Sequence, residues 1–482
     1  MKTTLLGDQL KISRIITGMW QIADMEKDGR KTDARQAAAA MLPYAERGLT
    51  TFDMADHYGS SEEIAGAFHQ AYPDQPVQFL TKWVPEPGNI SRQETRQAIE
   101  KALVRTQSNR IDLMQFHAWH YANPNWLDCL YWLEELRQEG LIGNIGVTNF
   151  DTAHLNIAVK SGIKIVSNQV CYSLLDQRAA GAMTQLCLRE KIGLLAFGTM
   201  AGGFFSEQWM GKREPLQDEI TNWSLLKYKR FIDNSGGWKK YQELLSTLNV
   251  IAKNHQVSLA AVASGYMLQQ PAVAGIIIGA RLGLSSHLDS NLKIDGLMLN
   301  ESECGQIKEI ISTFDAIHGD CGDEYRKPPY LTASGDLSHH VQDFPKPFET
   351  VVKDNGKIQV FTGTIWEPLA GYCRAVRKGN IVTVSGTTAT HGARLIGGND
   401  PAAQTHFILD KIEGALFCTG AKLEDVVRTR IFIRDTSIWE AVARAHGERF
   451  GKIMPANTMV EAAMIGPEYL VEIEADAIVD AE

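Results

Sequence analysis

Short apolar runs alternate with longer amphipathic stretches eight times between Ile15 and about Asn291, and this alternation constrains the fold most. Each apolar run has the length of a buried strand, and the stretch after it has the apolar spacing of a helix packed on one face. Eight such units in succession predict a closed barrel of parallel strands surrounded by helices, an α/β fold. The segment from Thr3 to Arg14 predicts a small hairpin that plugs the bottom of the barrel.

Four titratable side chains stand at or just beyond the ends of predicted strands. Asp53 ends one apolar run, and Tyr58 follows it by five positions in a short loop, while Lys82 and His117 end the next two runs. Because the active sites of parallel barrels form at the C-terminal ends of the strands, we predict that these four side chains share one site. A lone Asp or His in such a position more often caps a helix or fills a core, but the four together indicate proton transfer.

The repeat is interrupted once and then ends, which sets the predicted domains. Residues 202–240 contain several Trp and Phe side chains without a clear period, and we interpret them as a lid or a substrate wall rather than a helix. The predicted domains are a barrel over 1–318, a linker rich in Gly, Pro, Asp and His over 319–348, and a smaller α+β domain over 349–482.

Composition excludes several classes of protein. The 48 Lys and Arg against 57 Asp and Glu give a net charge of −9, which argues against a nucleic-acid-binding protein. The chain has no signal peptide pattern, and no run reaches the about 18 apolar residues of a membrane helix. The seven cysteines are scattered and never spaced as Cys-x-x-Cys, so we expect a cytoplasmic protein without disulfides and without a bound metal.

The first domain resembles the aldo-keto reductase superfamily over essentially the whole of residues 1 to about 318. The resemblance rests on motifs in the family's order: Phe52-Asp53-Met54-Ala55-Asp56-His57-Tyr58-Gly59, Thr81-Lys82, Gln115-Phe116-His117, Gly146-Val147-Thr148-Asn149-Phe150, and Ser167-Asn168-Gln169 with Tyr172. It implies a (β/α)8 TIM barrel and an NADP-dependent oxidoreductase that reduces a small aldehyde or ketone.

The same resemblance implies a role for each of the four titratable side chains. Tyr58 would donate a proton to the developing alkoxide, although a phenol with a pKa near 10 is a poor acid at neutral pH without help. The ammonium of Lys82 would stabilise the phenolate, and Asp53 would hold that lysine charged. His117 would orient the carbonyl oxygen and help to stabilise negative charge on it.

Several side chains near this site are ambiguous from the sequence alone. Trp20, Trp83 and Trp119 follow predicted strands, and we interpret them as a lining of the substrate pocket, with packing at the barrel top as the alternative. His57 and His120 are neighbours of the site in the chain, but the family's pattern does not require either. Their roles stay open at this point.

The resemblance also implies a nicotinamide cofactor lying extended across the barrel mouth. The residues expected to bind it are Thr148, Asn149 and Gln169 at the carboxamide, Phe197 on the ring, and Arg281, His287 and Asn291 at the adenosine phosphate. Phe197 stands where the family usually stacks a tyrosine, and it keeps the aromatic face. Arg281 supplies a charge that could meet a 2′-phosphate, which favours NADPH over NADH.

Residues from about 349 to 479 resemble the Rid/YjgF family of enamine and imine deaminases. The motifs are Val384-Ser385-Gly386-Thr387, the run from Asp425 to Asp435, Met454-Pro455-Ala456-Asn457-Thr458-Met459-Val460-Glu461, and Val471-Glu472-Ile473-Glu474-Ala475. The resemblance implies a chorismate-mutase-like fold and assembly as a homotrimer or higher through this domain. Active members carry an arginine for the substrate's carboxylate where this chain has Asn457, and an amide cannot supply that charge. Glu472 stands where the family has a carboxylate thought to position the hydrolytic water.

Three functions are compatible with these patterns. The first is an NADPH-dependent carbonyl reductase whose C-terminal domain binds a ligand or mediates assembly. The second is a cofactor-binding regulatory protein without turnover. The third is a bifunctional enzyme, in which the C-terminal domain hydrolyses an imine and the barrel reduces the carbonyl that this releases.

Overall fold

Residues 1–326 and 344–480 are described by a computed structural model, in which the predicted barrel of eight parallel strands is confirmed. Each barrel strand pairs with the next in the chain and the last pairs with the first. All of these pairs are parallel, because every connection returns the chain to the same end of the barrel. The strands are the hairpin pair β1 (Thr3–Leu6) and β2 (Leu10–Ser13), and the barrel strands β3 (Ile15–Gly18), β4 (Thr51–Asp53), β5 (Gln78–Trp83), β6 (Ile111–Phe116), β7 (Ile142–Thr148), β8 (Ile165–Cys171), β9 (Gly193–Phe197) and β10 (Val273–Gly279).

The hairpin closes the bottom of the barrel, as predicted. Leu6, Leu10 and Ile12 of the hairpin are buried in one cluster with apolar side chains that point into the barrel from its strands. Gly7 makes the turn with φ of +57°, and a Cβ there would lie 2.8 Å from Val166. A side chain at this position would therefore push the hairpin away from the barrel.

The helices of the first 326 residues surround the barrel and begin at the expected capping residues. Asp33 accepts from the main-chain N–H groups of Arg35 and Gln36, and Ser91 forms a capping box with Glu94. The helices are α1 (Gln21–Glu26), α2 (Ala34–Glu46), α3 (Ser61–Ala71), α4 (Arg92–Thr106), α5 (Asn125–Gln138), α6 (Thr152–Lys160), α7 (Ala182–Glu190), α8 (Trp223–Asn234), α9 (Gly237–His255), α10 (Leu259–Leu268), α11 (Leu288–Gly296), α12 (Glu301–Ser312) and α13 (Asp323–Arg326).

The interpretation of residues 202–240 as a segment without a helix is wrong, because α8 lies within it. Asn222 caps this helix, accepting from two main-chain N–H groups of its first turn. Its buried residues, Ser224, Tyr228, Phe231 and Ile232, follow the spacing of one helical face. The mixed charged and aromatic residues between these positions obscure the period in the sequence.

The C-terminal residues form the predicted α+β sheet with helices on one face. Its seven strands have the order β11-β12-β13-β14-β19-β17-β18, and only β17 and β18 pair in parallel among them. The elements are β11 (Glu349–Val352), β12 (Ile358–Phe361), β13 (Ala375–Lys378), β14 (Ile381–Thr388), β15 (Thr390–His391), β16 (Arg394–Leu395), β17 (Val426–Ile433), β18 (Ala456–Glu461), β19 (Val471–Ile478), α14 (Trp366–Ala370), α15 (Pro401–Thr419) and α16 (Trp439–Phe450).

The barrel and the C-terminal part contact each other through α6 and α15. His154 on α6 is buried between two carboxylates, with Nδ1 2.6 Å from Asp151 Oδ1 and Nε2 2.9 Å from Asp410 Oδ2 on α15. Arg449 on α16 also pairs with Asp410. A buried charged cluster therefore joins the two parts.

Residues 320–326, which the sequence assigns to the linker, pack against the barrel top. Glu324 is fully buried and forms an ion pair of 2.8 Å with Arg178, and Asp320 accepts from the main-chain N–H of Thr152 at 2.8 Å. Arg326 donates to the main-chain oxygen of Ala118 at 2.7 Å. The rest of the predicted linker to residue 343 lies outside the described residues. Within the described part of the chain, no helix is long and apolar enough to cross a membrane.

Candidate active site

A cavity of about 680 Å³ opens at the C-terminal ends of the barrel strands. It is lined by every residue that the sequence proposes for proton transfer or cofactor binding in the barrel: Asp53, Tyr58, Lys82, His117, Thr148, Asn149, Gln169, Phe197, Arg281, His287 and Asn291. The structure thus brings these side chains to one place. The two C-terminal candidates, Asn457 and Glu472, do not line this cavity.

Asp53 and Lys82 form a buried ion pair at the base of the cavity. Lys82 Nζ donates to Asp53 Oδ2 at 2.6 Å and to the main-chain oxygen of Met54 at 2.9 Å. Burial lowers the pKa of Lys82, and the charge of Asp53 opposes this change. Strands β4 and β5 are neighbours in the barrel, so their adjacent ends bring the carboxylate and the ammonium together.

Two glutamines fix the other oxygen of Asp53. Gln115 Nε2 donates to Asp53 Oδ1 at 3.1 Å, and Gln169 Nε2 donates to the same atom at 2.7 Å. The sequence reasoning did not propose Gln115 as a site residue, although the residue stands two positions before His117. Because side chains alternate along a strand, residues i and i+2 share a face, and this spacing could have identified it.

Tyr58 lies beside the ammonium of Lys82 at the half-buried rim of the site. Lys82 Nζ is 4.7 Å from the centroid of the Tyr58 ring. An ammonium has three N–H groups. Two of those on Lys82 donate to Asp53 and to the main-chain oxygen of Met54, so the third does not point at either of these acceptors. His57 also lines the cavity, with its Nδ1 2.7 Å from Asp56 Oδ1.

His117 is buried, and its ring contacts the end of strand β7. Its Nδ1 is 3.3 Å from the main-chain oxygen of Thr148, which can only accept. The Nδ1 atom therefore carries a hydrogen, and the neutral ring has a lone pair on Nε2. Donation from Nε2 to a carbonyl oxygen requires the doubly protonated imidazolium.

The three residues proposed for the carboxamide present acceptor atoms to the cavity. Gln169 uses its amide nitrogen on Asp53 and Gln115, which leaves its Oε1 as an acceptor. Asn149 adopts a φ of 58°, and its buried Oδ1 has no hydrogen-bond partner among the residues that the structure describes. Thr148 donates its hydroxyl to the main-chain oxygen of Gln169 at 3.2 Å. A carboxamide NH2 group fits this set of acceptors.

At the end of the cavity proposed for the adenosine phosphate, Arg281 is paired with a carboxylate. Arg281 Nη2 is 2.5 Å from Asp24 Oδ2, and Lys27 Nζ is 3.3 Å from the other oxygen of Asp24. Two further candidates, the exposed His287 and the buried Asn291, stand at the start of α11 and line the same end of the cavity. This end therefore combines a fixed guanidinium with an imidazole and an amide.

Aromatic residues form the cavity wall, but not all of those proposed. Trp20 and Trp119 line the cavity, whereas Trp83 is buried and packs on Phe116 with ring centroids 5.5 Å apart. The lining role proposed for Trp83 is therefore wrong, because its strand turns that side chain away from the opening. His120 likewise lies outside the cavity, stacked on Phe344.

Residues 202–240 do contribute a wall, as predicted, through α8. Trp223 lies 6.2 Å from Trp20 between ring centroids, and Lys227 and Tyr228 also face the cavity. Tyr325 of α13 lines it as well. The sequence prediction includes Trp223 among the aromatic residues of this segment, but it missed Lys227, Tyr228 and Tyr325, because no local pattern connects them to the barrel strands.

The two candidates of the C-terminal part lie on β18 and β19 of the second sheet, and β17 runs between these two strands. Asn457 Nδ2 donates to Thr429 Oγ1 at 2.9 Å. Burial raises the pKa of Glu472, and Glu474 adds to this effect while Arg374 opposes it. Glu472 lies against Gly386, where any side chain would collide with its carboxylate.

Comparisons with known proteins divide the chain in the same way. The family model described as aldo/keto reductase family matches residues 14–312, and the model described as Endoribonuclease L-PSP matches residues 363–479. The aldo-keto reductase YhdN of Bacillus subtilis is 25% identical over 345 residues, which cover 68% of this chain and 98% of that protein.

Two relatives match only the C-terminal part. The 3-aminoacrylate deaminase RutC of Acinetobacter baylyi is 34% identical over 111 residues, covering 23% of this chain and 88% of that protein. A crystal structure of a YjgF/YER057c/UK114 family member from Mycobacterium tuberculosis is 49% identical, covers 26% of this chain and 99% of that one, and has a TM-score of 0.24.

Proposed function

Because this chain belongs to the aldo/keto reductase family and carries a C-terminal domain of the Endoribonuclease L-PSP family, we propose that it reduces a small aldehyde or ketone with NADPH, using Tyr58 as the proton donor. The single observation that supports this most is the chain of contacts from Asp53 through Lys82 to Tyr58 in one cavity. A bound nicotinamide would supply the hydride. The protein's own residues would supply the proton.

The proton is proposed to move from the Tyr58 hydroxyl to the carbonyl oxygen as that oxygen gains negative charge. The phenolate left behind is stabilised by the ammonium of Lys82, and Asp53 keeps that ammonium charged inside the protein. Gln115 positions the carboxylate without touching the substrate. A solvent proton then restores the phenol.

His117 is proposed to bind the substrate's carbonyl oxygen from Nε2. Since Thr148 holds the hydrogen of Nδ1, this donation needs the imidazolium form. A positive ring would also stabilise the alkoxide as it develops. The proposed role of His117 is therefore electrostatic as well as geometric.

For the cofactor we propose NADPH, with Arg281 at its 2′-phosphate. Exchange of Arg281 for alanine removes charge-assisted hydrogen bonds, and we expect the KM for NADPH to rise about tenfold or more while the KM for NADH changes little. Lys27→Ala is the matched control, since Lys27 contacts the same Asp24 but does not line the cavity. Steady-state kinetics with both cofactors measure this, and an equal rise for NADPH and NADH would contradict the proposal.

For the C-terminal domain we propose a role in ligand binding and assembly, as a homotrimer or higher. Where an active deaminase carries an arginine, this chain has Asn457, whose amide nitrogen donates to Thr429 Oγ1. One face of the sheet is covered by α15 and α16, whereas Ile381 and Ile478, paired across the other face, are 57% and 47% exposed. Such exposed apolar pairs favour contact with another chain.

Assembly through this face predicts a change in molecular mass on substitution. Ile478→Lys places a charge in the proposed contact, and we expect a lower mass by light scattering coupled to size-exclusion chromatography. Leu188→Lys makes the same kind of change at an exposed leucine of the barrel helix α7 and should leave the mass unaltered. A monomeric wild-type protein would refute the proposed assembly.

We propose that the protein is cytoplasmic, consistent with seven free thiols.

A further inference from the structure

A second lysine–tyrosine pair lines the cavity besides the one proposed for proton transfer. Lys227 Nζ, on α8, donates to Tyr325 Oη, on α13, at 2.6 Å. Lys227 Nζ lies 4.9 Å from the ring centroid of Phe197, and the ring of Tyr325 lies 6.2 Å from that of His117. The pair thus stands between the ring proposed to stack on the nicotinamide and the imidazole proposed to face the carbonyl.

The donors of this pair suit an anionic group. An ammonium and a phenol hydroxyl both donate hydrogen bonds, and carboxylate oxygens accept them. The rings of Phe197, Tyr228 and Tyr325 lie 4.9, 5.7 and 5.1 Å from the ammonium, and their faces hold a positive charge in place. Charge-assisted hydrogen bonds from such donors are about twice as strong as neutral ones.

The position of Tyr325 is fixed by the segment that carries it, which lies beyond the region matched by the family model, 14–312. The next residue, Arg326, donates to the main-chain oxygen of Asn149 at 2.6 Å. Arg326 thereby ties this segment to the loop that presents Asn149 to the cavity. Tyr325 is therefore an addition to the barrel's own pocket, and Arg326 fixes its segment relative to the proposed site.

We propose that Lys227 and Tyr325 bind a carboxylate of the substrate, so that the protein prefers carbonyl compounds that carry a carboxylate over neutral ones. This inference rests on the proposed reductase function and names its substrate class. The ammonium of Lys227 lines the cavity beside Phe197, and it contacts the hydroxyl of Tyr325, whose ring lies 6.2 Å from that of His117, so both groups are placed to meet a charge on the substrate.

The test compares two aldehydes that differ in charge, 4-carboxybenzaldehyde and 4-methylbenzaldehyde. We expect a higher kcat/KM for the carboxylate in the wild-type protein. Tyr325→Phe should lower this preference several-fold and Lys227→Met about tenfold or more, through the loss of charge-assisted hydrogen bonds, with little change for the methyl compound. Lys227→Arg keeps a cation and should retain most of the preference.

Lys229→Met is the matched control, because it removes a lysine from the same helix outside the cavity, where Glu214 and Asp233 pair with it. Titration with benzoate, followed by calorimetry, measures the carboxylate site without turnover and should weaken in Lys227→Met. Equal kcat/KM for both aldehydes in the wild type would overturn this inference alone. Reduction of neither aldehyde would count against the reductase, and absent benzoate binding would then refute the carboxylate site too. A rise in the KM for NADPH in Lys227→Met, equal for both aldehydes, would assign the lysine to the cofactor instead.

Discussion

Tyr58→Phe is expected to lower kcat for carbonyl reduction by about a hundred- to ten-thousand-fold, the range that one general acid contributes. The substitution removes only the hydroxyl and leaves the ring beside Lys82, whose ammonium is 4.7 Å from the ring centroid. Cofactor binding should therefore persist, because the residues proposed to bind the carboxamide are untouched. Oxidation of NADPH with a panel of aldehydes measures kcat, and fluorescence titration measures the affinity for NADPH.

The control is a phenol outside the cavity. Tyr131 on α5 donates to the main-chain oxygen of Ser161 at 3.3 Å, and Tyr131→Phe should leave kcat unaltered. Unchanged reduction in Tyr58→Phe would remove the proposed proton donor. Intact NADPH binding without any turnover in the wild-type protein would instead favour the cofactor-binding regulatory role that the sequence left open.

The barrel could be predicted because its signal is local and repeated. Each of the eight strands is an apolar run followed by a helical period, and the rule that sites lie at the C-terminal strand ends then gathers Asp53, Lys82 and His117. The residues proposed to bind the cofactor, such as Asn149, came from a resemblance in motifs, which indicates their positions in the chain but not their contacts. The pairing of Arg281 with Asp24, for example, joins residues 257 positions apart and has no local signature.

What could not be predicted depends on contacts between distant segments. Lys227 lies in an interrupted stretch whose helical face is obscured by charges, and Tyr325 lies in a segment that Gly and Pro residues marked as a linker. Nothing in either neighbourhood indicates that the two side chains meet at 2.6 Å. The same limit applies to His154, which its helix period places in a core but not beside Asp410.

His154→Leu is expected to destabilise the protein by about 3–5 kcal/mol, the cost of breaking a buried ion pair by removing one partner. The imidazole is 3% exposed, lies 2.6 Å from Asp151 and 2.9 Å from Asp410, and stacks on the ring of Tyr121 at 3.5 Å. Leucine would leave two buried carboxylates facing an apolar side chain. Urea unfolding measures the loss, and hydrogen exchange should show faster opening of α6 and α15.

The matched control is His391, another histidine that joins the two parts. His391 Nε2 is 2.7 Å from Asp128 Oδ2, but both side chains are 22% exposed, so water screens this pair. His391→Leu should cost at most about 1 kcal/mol, as do ion pairs that solvent reaches. Losses of equal size in the two variants would show that burial adds nothing at His154.

The His154 cluster also predicts how the stability of the contact between the barrel and the C-terminal part depends on pH. Burial alone would lower the pKa of His154, but the charges of Asp151 and Asp410 overcome it and raise that pKa. Its contribution to stability is therefore complete below about 6.5, the unfolded pKa, and is lost as the pH rises through the folded value. Burial would raise the pKa of Asp410, yet His154 and Arg449 lower it to about 2, so its contribution is lost only as the pH falls toward that value.

The expected result is a melting temperature that falls from near-neutral to alkaline pH in the wild type, with a flatter profile in His154→Gln. Glutamine keeps a polar group of similar length but does not titrate in this range. Identical profiles in the two proteins would contradict the assignment of this pH dependence to His154.

Asp151 lies two residues after Asn149 in the chain, so loosening the His154 cluster should also raise the KM for NADPH. Such a rise would link the contact of the C-terminal domain to the proposed reductase site.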